Sequence, residues 1–329
     1  MNRGKILVTG GAGYVGSHVV KELLRRGYDT LTVDNLSTGH RTLVVGGEFI
    51  EADLRDFATL RGIFGKHSID AVMHFAASCY VGESVKRPMK YYENNVLAGL
   101  NLLAAMVETS VGHIIFSSTA AVYGNPLQIP IPEEHPQLPI NPYGQTKSLF
   151  EDILRSHERI HGIRHVSLRY FNAAGADPEC EIGEIHDPET HLIPLALDAA
   201  LGQIQHVEVF GSDYRTPDGT CIRDFIHVCD LADAHIRCLQ HLLNGGQSNS
   251  YNLGTGNGYS VKQVIDAAER LTGQAIPCIN SPRRAGDPPQ LVASAEKIKT
   301  ELGWEANHSA VEQILATAWH WQKKLRGRK

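Results

Sequence analysis

No stretch of this chain stays apolar for the roughly 18 residues that a bilayer-spanning helix needs. At the start, Met1-Asn2-Arg3-Gly4-Lys5 and Ile6-Leu7-Val8 imitate a secretory leader, but Thr9-Gly10-Gly11 ends the run far short of a signal core, so neither leader nor membrane anchor is expected. Charge of one sign is also missing. The chain has 31 Lys and Arg against 36 Asp and Glu, a formal charge of -5, scattered along its length, and nucleic acid is not an expected partner. Cysteine is scarce, six in all, with no Cys-x-x-Cys pair, which suits reduced thiols and a cytoplasmic location. The sequons at Asn35 and Asn307 then carry no glycan. The 17 histidines include no i, i+4 pair beside a catalytic Glu and no Cys/His cluster, so no metal is expected. Internal repeats, low-complexity tracts and long linkers are absent too.

What remains is 329 residues, 42% of them hydrophobic, enough for a sizeable core. Short β-branched runs at residues 5–9, 30–34, 49–52, 71–75, 113–118 and 165–170 read as buried parallel strands. Helical patterns at 14–26, 56–66, 89–109 and 143–161 fall between them. Such alternation implies an α/β fold, a doubly wound parallel sheet with helices on both faces, and ligands beyond the strands' carboxyl ends. After Phe171 the rhythm changes: 173–194 reads as polar loop, with strands expected at 207–210, 225–228 and 251–253 and helices at 230–243, 260–271 and 310–325. The expected division is a Rossmann-type domain at 1–172, joined by a returning segment near 222–245, and a smaller α/β substrate-binding domain at 173–329.

Gly10, Gly13 and Gly16 follow the first strand and open a helix with Tyr14 and Val15 in its first turn. Gly10 permits the turn, Gly13 lets a diphosphate approach the backbone, and Gly16 lets helix and strand pack tightly. The diphosphate would sit on a helix N-terminus, where N–H groups and the macrodipole favour negative charge. Asp34 ends the second strand, where a carboxylate accepts from ribose hydroxyls and repels a 2′-phosphate, so NAD is the expected cofactor over NADP. Asp53 and Leu54 are candidates for adenine contact, with Asp53 also readable as a helix cap. Phe75, Ala76 and Ala77 end the fourth strand with small residues that let a dinucleotide pass.

Tyr143-x-x-x-Lys147 opens a predicted helix and puts phenol and ammonium on one face. A nearby ammonium is expected to lower the phenol's pKa, as a general base for an alcohol requires. Thr119, at the preceding strand end, offers a hydroxyl that could bond the reacting oxygen and relay its proton. Ser117 and Ser118 read as backbone caps.

With these residues in place, the chain resembles the extended short-chain dehydrogenase/reductases nearly end to end. Three stretches are similar to the UDP-hexose 4-epimerases of that family: Asp34 to Ser37, Arg169 to Gly175, and, the most specific, Asp218 to Val228. The resemblance implies a homodimeric isomerase that interconverts UDP-galactose and UDP-glucose with bound NAD. Tyr143 would be the base, Lys147 would hold the nicotinamide ribose, and Thr119 stands where the family carries Ser or Thr. Further NAD-site positions are Asn35, Leu36, Ser37, Asn94 and Phe171. Asn172, Arg223, Arg284 and Asp287 fall where the family grips UDP, with Val209 and Phe210 near the uracil. His191 and Leu192 occupy a site that is often Asn-Leu, and Cys79 a cofactor-side position that is Lys in some members, so a charged role there is lost. Leu291 falls where the family varies between Tyr and smaller residues that admit an N-acetyl group; UDP-GlcNAc and UDP-GalNAc activity is therefore expected, and pentose epimerisation stays open.

A nucleotide-sugar dehydratase or decarboxylase is the enzymatic rival, but Thr119 is followed by Ala120-Ala121 in place of the acidic residue such enzymes resemble. A non-catalytic NAD sensor is the other, and the Tyr143–Lys147 pair counts against it.

Overall fold

In the computed structural model, which describes residues 3–284 and 287–327, six strands arise where hydrophobic runs meet turn residues. They are β1 (Lys5–Thr9), β2 (Asp29–Asp34), β3 (Glu48–Glu51), β4 (Ala71–His74), β5 (His113–Thr119) and β6 (Arg164–Tyr170). The intervening helices are α1 (Tyr14–Arg25), α2 (Phe57–Lys66), the short α3 (Val81–Lys86) and α4 (Pro88–Tyr91), α5 (Ala98–Glu108) and α6 (Pro142–His161). All strand pairs of the central sheet are parallel.

Both faces of that sheet are dry, which explains why its strands read as continuous apolar runs rather than alternating ones. Successive side chains point to opposite faces. Ile6, Val8, Met73 and Ile115 enter the core against α1, while Leu7, Val72, Ile114 and Phe116 enter the core against α2, α5 and α6. These side chains are 1% exposed or less, and each contributes on the order of 1.5–3 kcal/mol by burial.

Beyond β6 the chain forms β7 (Asn172–Ala174), α7 (Leu192–Ala200), β8 (Val207–Phe210), β9 (Ile222–Arg223), β10 (Phe225–His227), α8 (Val228–Leu243) and β11 (Asn249–Leu253). It ends with β12 (Tyr259–Ser260), α9 (Val261–Thr272), β13 (Cys278–Ser281), β14 (Gln290–Leu291), α10 (Glu296–Leu302) and α11 (Val311–Arg326). β11 pairs with β6, giving the seven-stranded order β11-β6-β5-β4-β1-β2-β3, and α8 packs against α1 on one face. A separate core gathers Ile193 and Leu197 of α7, Val264 and Ala268 of α9, and Ile314 and Leu315 of α11 around Val207 and Val209 of β8.

The sequence expectation omits α3, β7, β9, β12, β13, β14 and α10, and two further departures concern segments it did assign. Within 173–194, expected as loop, α7 already begins at Leu192; Pro194 is tolerated because a helix's first turn has no N–H bond to lose. The segment expected as one helix over 89–109 is broken by a π-turn at Tyr92–Leu97. Asn95 secures that turn by bonding Ser78 N and O at 2.8 and 3.0 Å and Thr146 Oγ1 at 3.0 Å. Among the described residues, no helix is long and apolar enough to cross a membrane. The six cysteines are all free.

Candidate active site

The strand order reverses between β1 and β4, so the loops leaving their carboxyl ends diverge and open a crevice. A cleft of about 520 Å³ lies there. Gly10, Gly13, Tyr14, Val15 and Gly16 form one wall, with Asp34, Asn35 and Ser37 above them and Asp53 and Leu54 beyond. Phe75, Ala76, Ala77, Cys79 and Asn94 form the side nearer β4. Thr119, Tyr143, Lys147, Phe171, Asn172 and His191 close the far end.

The glycines are where the backbone needs them. Gly10 has φ +73°, and a Cβ there would stand 2.4 Å from Ala76 N. A Cβ on Gly16 would meet Gly10 O at 2.3 Å. No side chain caps α1 at Gly13, which leaves the first-turn N–H groups to an anion. Asp34 is 8% exposed and accepts from Ala12 N at 3.0 Å and Leu36 N at 2.9 Å; burial pushes its carboxyl upward. A Cβ on Gly39 would stand 2.9 Å from Asp34 Oδ1, so the bare glycine keeps that carboxylate open to a ribose. These features fit a dinucleotide. Leu36 lines nothing in the cleft; at φ +54° its N–H steadies Asp34.

Asp53 does not cap α2. Asp56 does, accepting from Thr59 N at 3.1 Å, while Asp53 takes a two-point bond from Arg55 and one from Asn35 Nδ2. The Arg55 guanidinium holds the Asp53 carboxyl well below the usual carboxylate range.

Asn141 caps α6 by accepting from Gly144 N at 2.9 Å, and this aims the helix's first turns at the β5 terminus. Lys147 Nζ donates to Ser117 O at 2.8 Å and sits 6.0 Å from the Tyr143 ring centre. Burial pushes the Tyr143 hydroxyl well above the usual phenol range, with the Thr119 hydroxyl working the other way, and lowers Lys147 to about 8. One sequence expectation is corrected here: Ser117 and Ser118 do not cap backbone, since Ser117 Oγ bonds the Tyr170 hydroxyl and Ser118 Oγ donates to Glu151 Oε1 at 2.5 Å.

A second group lies past the cleft on β8, β9 and β14. Arg223, beside Leu291 in the β9–β14 register, pairs with Asp287 and donates to Ile222 O. The Arg284 guanidinium stacks 3.9 Å from the Phe210 ring centre. Leu291 packs beside Phe171 and Tyr123, at the cleft's edge. Two cations and an aromatic face suit a diphosphate attached to a flat base. Val209 and Leu192 do not join them, because both turn their side chains into the second core.

Sequence reasoning passed over Tyr170, Ser78 and Gly39, all of which line the cleft. It also passed over Glu184 and His186, the first Glu-x-His of a pair completed by Glu189 and His191.

The model of the NAD dependent epimerase/dehydratase family matches residues 6–254. The chain belongs to that family. It is 53% identical over 319 residues to a UDP-glucose 4-epimerase of Halalkalibacterium halodurans, covering 97% of this chain and 96% of the relative. The crystal structure of UDP-glucose 4-epimerase from Brucella ovis in complex with NAD superposes with a TM-score of 0.94 at 49% identity, covering 97% and 98% of the two chains. The Bifidobacterium longum UDP-glucose 4-epimerase, solved with NAD+ and UDP, superposes with a TM-score of 0.93 at 41% identity, over 97% and 98%.

Proposed function

We propose that the chain is an NAD-dependent isomerase that interconverts UDP-galactose and UDP-glucose by inverting the hexose at C4. The observation that carries this reading is the convergence of Tyr143, Thr119 and Lys147 on one end of a dinucleotide cleft, the end whose Phe171 packs with Leu291, the strand neighbour of Arg223. Residues 1–172, rejoined by α8 and β11, hold the cofactor; residues 173–329 hold the UDP-sugar.

NAD, when bound, supplies a two-electron store and a positive ring beside the phenol. Tyr143 takes the proton of the C4 hydroxyl, directly or across the Thr119 hydroxyl, and returns a proton to the C4 oxygen once the ring has turned. Lys147, at the same end of the cleft, holds the nicotinamide ribose and favours the phenolate. Arg223, Arg284, Asn172 and Phe210 retain the UDP portion while the 4-keto hexose presents its other face, so remote contacts supply positioning and the reacting ring stays loosely held. Ala120 and Ala121, following Thr119, provide no acid for dehydration. Leu291, smaller than Tyr at the cleft's edge, supports turnover of UDP-GlcNAc and UDP-GalNAc as well.

The apolar residues Met89, Leu97, Leu100, Leu149 and Ile160 stay exposed on the segment from α4 to α5 and on α6, and we assign that face to a homodimer contact. Six free thiols accord with the cytoplasm.

The test is conversion of UDP-galactose to UDP-glucose with no added reductant. Equilibration of the two sugars is expected, together with turnover of the N-acetyl pair. A 4,6-dehydrated product would establish the dehydratase instead, and tight NAD binding without turnover the sensor. Asp34→Asn, which removes one acceptor and the charge, is expected to weaken NAD binding by about 10- to 100-fold in calorimetric titration. An unchanged affinity would remove Asp34 from the ribose site.

A further inference from the structure

The segment between β7 and α7 carries Glu184-Ile185-His186 and Glu189-Thr190-His191, two Glu-x-His units five residues apart. Folding brings one ligand atom from each of Glu184, His186, Glu189 and His191 within 4.8 Å of every other. Glu184 is 6% exposed and is the hub. Its Oε1 lies 2.8 Å from His191 Nδ1 and 3.1 Å from His186 Nδ1. Glu189 approaches from the other side, with Oε1 3.1 Å from His191 Nδ1 and Oε2 3.6 Å from His186 Nδ1.

Two features separate this cluster from an ordinary ion-pair lattice. Both imidazoles turn the same ring nitrogen toward one carboxylate oxygen, and His186 Nδ1, although buried and close, makes no hydrogen bond. His191 Nδ1 bonds Glu189 Oε1 at 3.1 Å, so it is His186, whose inward ring nitrogen is left unbonded beside two carboxylates, that marks the cluster as a ligand set. The donor set is also complete in charge: two carboxylates balance a divalent ion and two neutral imidazoles complete four N and O ligands. In a tetrahedral shell at about 2.0–2.2 Å, ligand atoms stand roughly 3.3–3.6 Å apart, so a pair at the 4.8 Å bound needs to close by about 1.2–1.5 Å.

We propose that Glu184, His186, Glu189 and His191 form a binding site for a divalent transition-metal ion of the zinc, cobalt or nickel class. The site is set in the wall of the cleft, where Glu184, His186 and His191 all contribute to its lining. An ion there ties residues 184–191 into one rigid wall at the entrance to α7 and offers any further coordination position to the cleft. The proton transfer does not use these side chains, although His191 also closes the far end of the cleft.

Co2+ reports both occupancy and geometry through its visible absorption. Tag-free, NAD-loaded protein, stripped with chelator and titrated with CoCl2, is expected to take up one equivalent and develop the bands of a four- or five-coordinate N/O site. His186→Ala and Glu189→Gln are each expected to weaken uptake by at least about tenfold. Circular dichroism and NAD absorbance check that each variant is folded; His186→Gln replaces any that is not. Two outcomes overturn the proposal: no uptake by the wild type, which leaves protons as the cluster's only cations, or equal uptake by wild type and folded variants, which places the ion elsewhere.

Discussion

Replacing Tyr143 by Phe is expected to slow C4 inversion by about 10²- to 10⁴-fold, the usual contribution of a positioned acid–base group. The ring meets Tyr91 edge-on at 6.4 Å between centres, and its hydroxyl sits against Thr119, so Phe keeps the packing and loses only the proton carrier. NAD retention and melting temperature should therefore stay at the wild-type level while turnover collapses. Sugar interconversion at full speed in a folded Tyr143→Phe protein would show that another group moves the proton. Because burial holds the resting phenol above its ordinary range, its basicity depends on positive charge gathered around it. Lys147, which burial brings to about 8, supplies part of that charge only while protonated.

Removing Glu151 is expected to have the largest effect on stability. Its carboxylate is fully buried on α6, one turn beyond Lys147, and accepts from Arg169 Nε at 3.0 Å and Nη2 at 2.6 Å, from Ser118 Oγ and from Gln137 Nε2 at 2.9 Å. Arg169 on β6 is 4% exposed, and its remaining partners are the Tyr123 hydroxyl and Glu133 O. Glu151→Ala would leave that guanidinium buried without its counterion, a loss of about 3–5 kcal/mol. Urea unfolding measures it; a loss under about 1 kcal/mol would mean that water or Glu133 takes over.

Burial alone would raise the Glu151 pKa, but the Arg169 contacts outweigh it, and the folded value lies below 4.5. The sign follows: this contribution is complete above the unfolded pKa and is lost as pH falls through the lower folded value. Wild type and variant should therefore converge in stability in acid. The pair also joins α6 to β5 and β6, so its loss would loosen the helix that aims Tyr143 and Lys147.

Much of the site was legible because its signals are local. Gly10 to Gly16, Asp34, Thr119 and Tyr143 each stand at a strand end or a helix start, and strand ends can be found from runs of Val, Ile and Leu. That the side chains of Leu192 and Val209 pack into the second core is not legible in the sequence, because that core assembles from α7, α9 and α11, elements far apart in sequence. The π-turn at Tyr92–Leu97 leaves the helical pattern almost unbroken, so periodicity does not reveal it. The direction of the Tyr143 shift depends on how much water the fold removes, which spacing does not encode. The Glu-x-His pair was visible as text, but in an irregular segment nothing local says that its members meet.

The outermost partner of β6 arrives from residues 249–253, after the chain has already built β7 to β10 and the helices α7 and α8. A ribosome must therefore release everything up to Leu253 before the parallel sheet can acquire its far edge. Until then Val166 and Leu168 lack the cover that Tyr251 and Leu253 bring, and the nascent amino-terminal half offers β6 as an open template. Completion of that half has to wait for translation of the other.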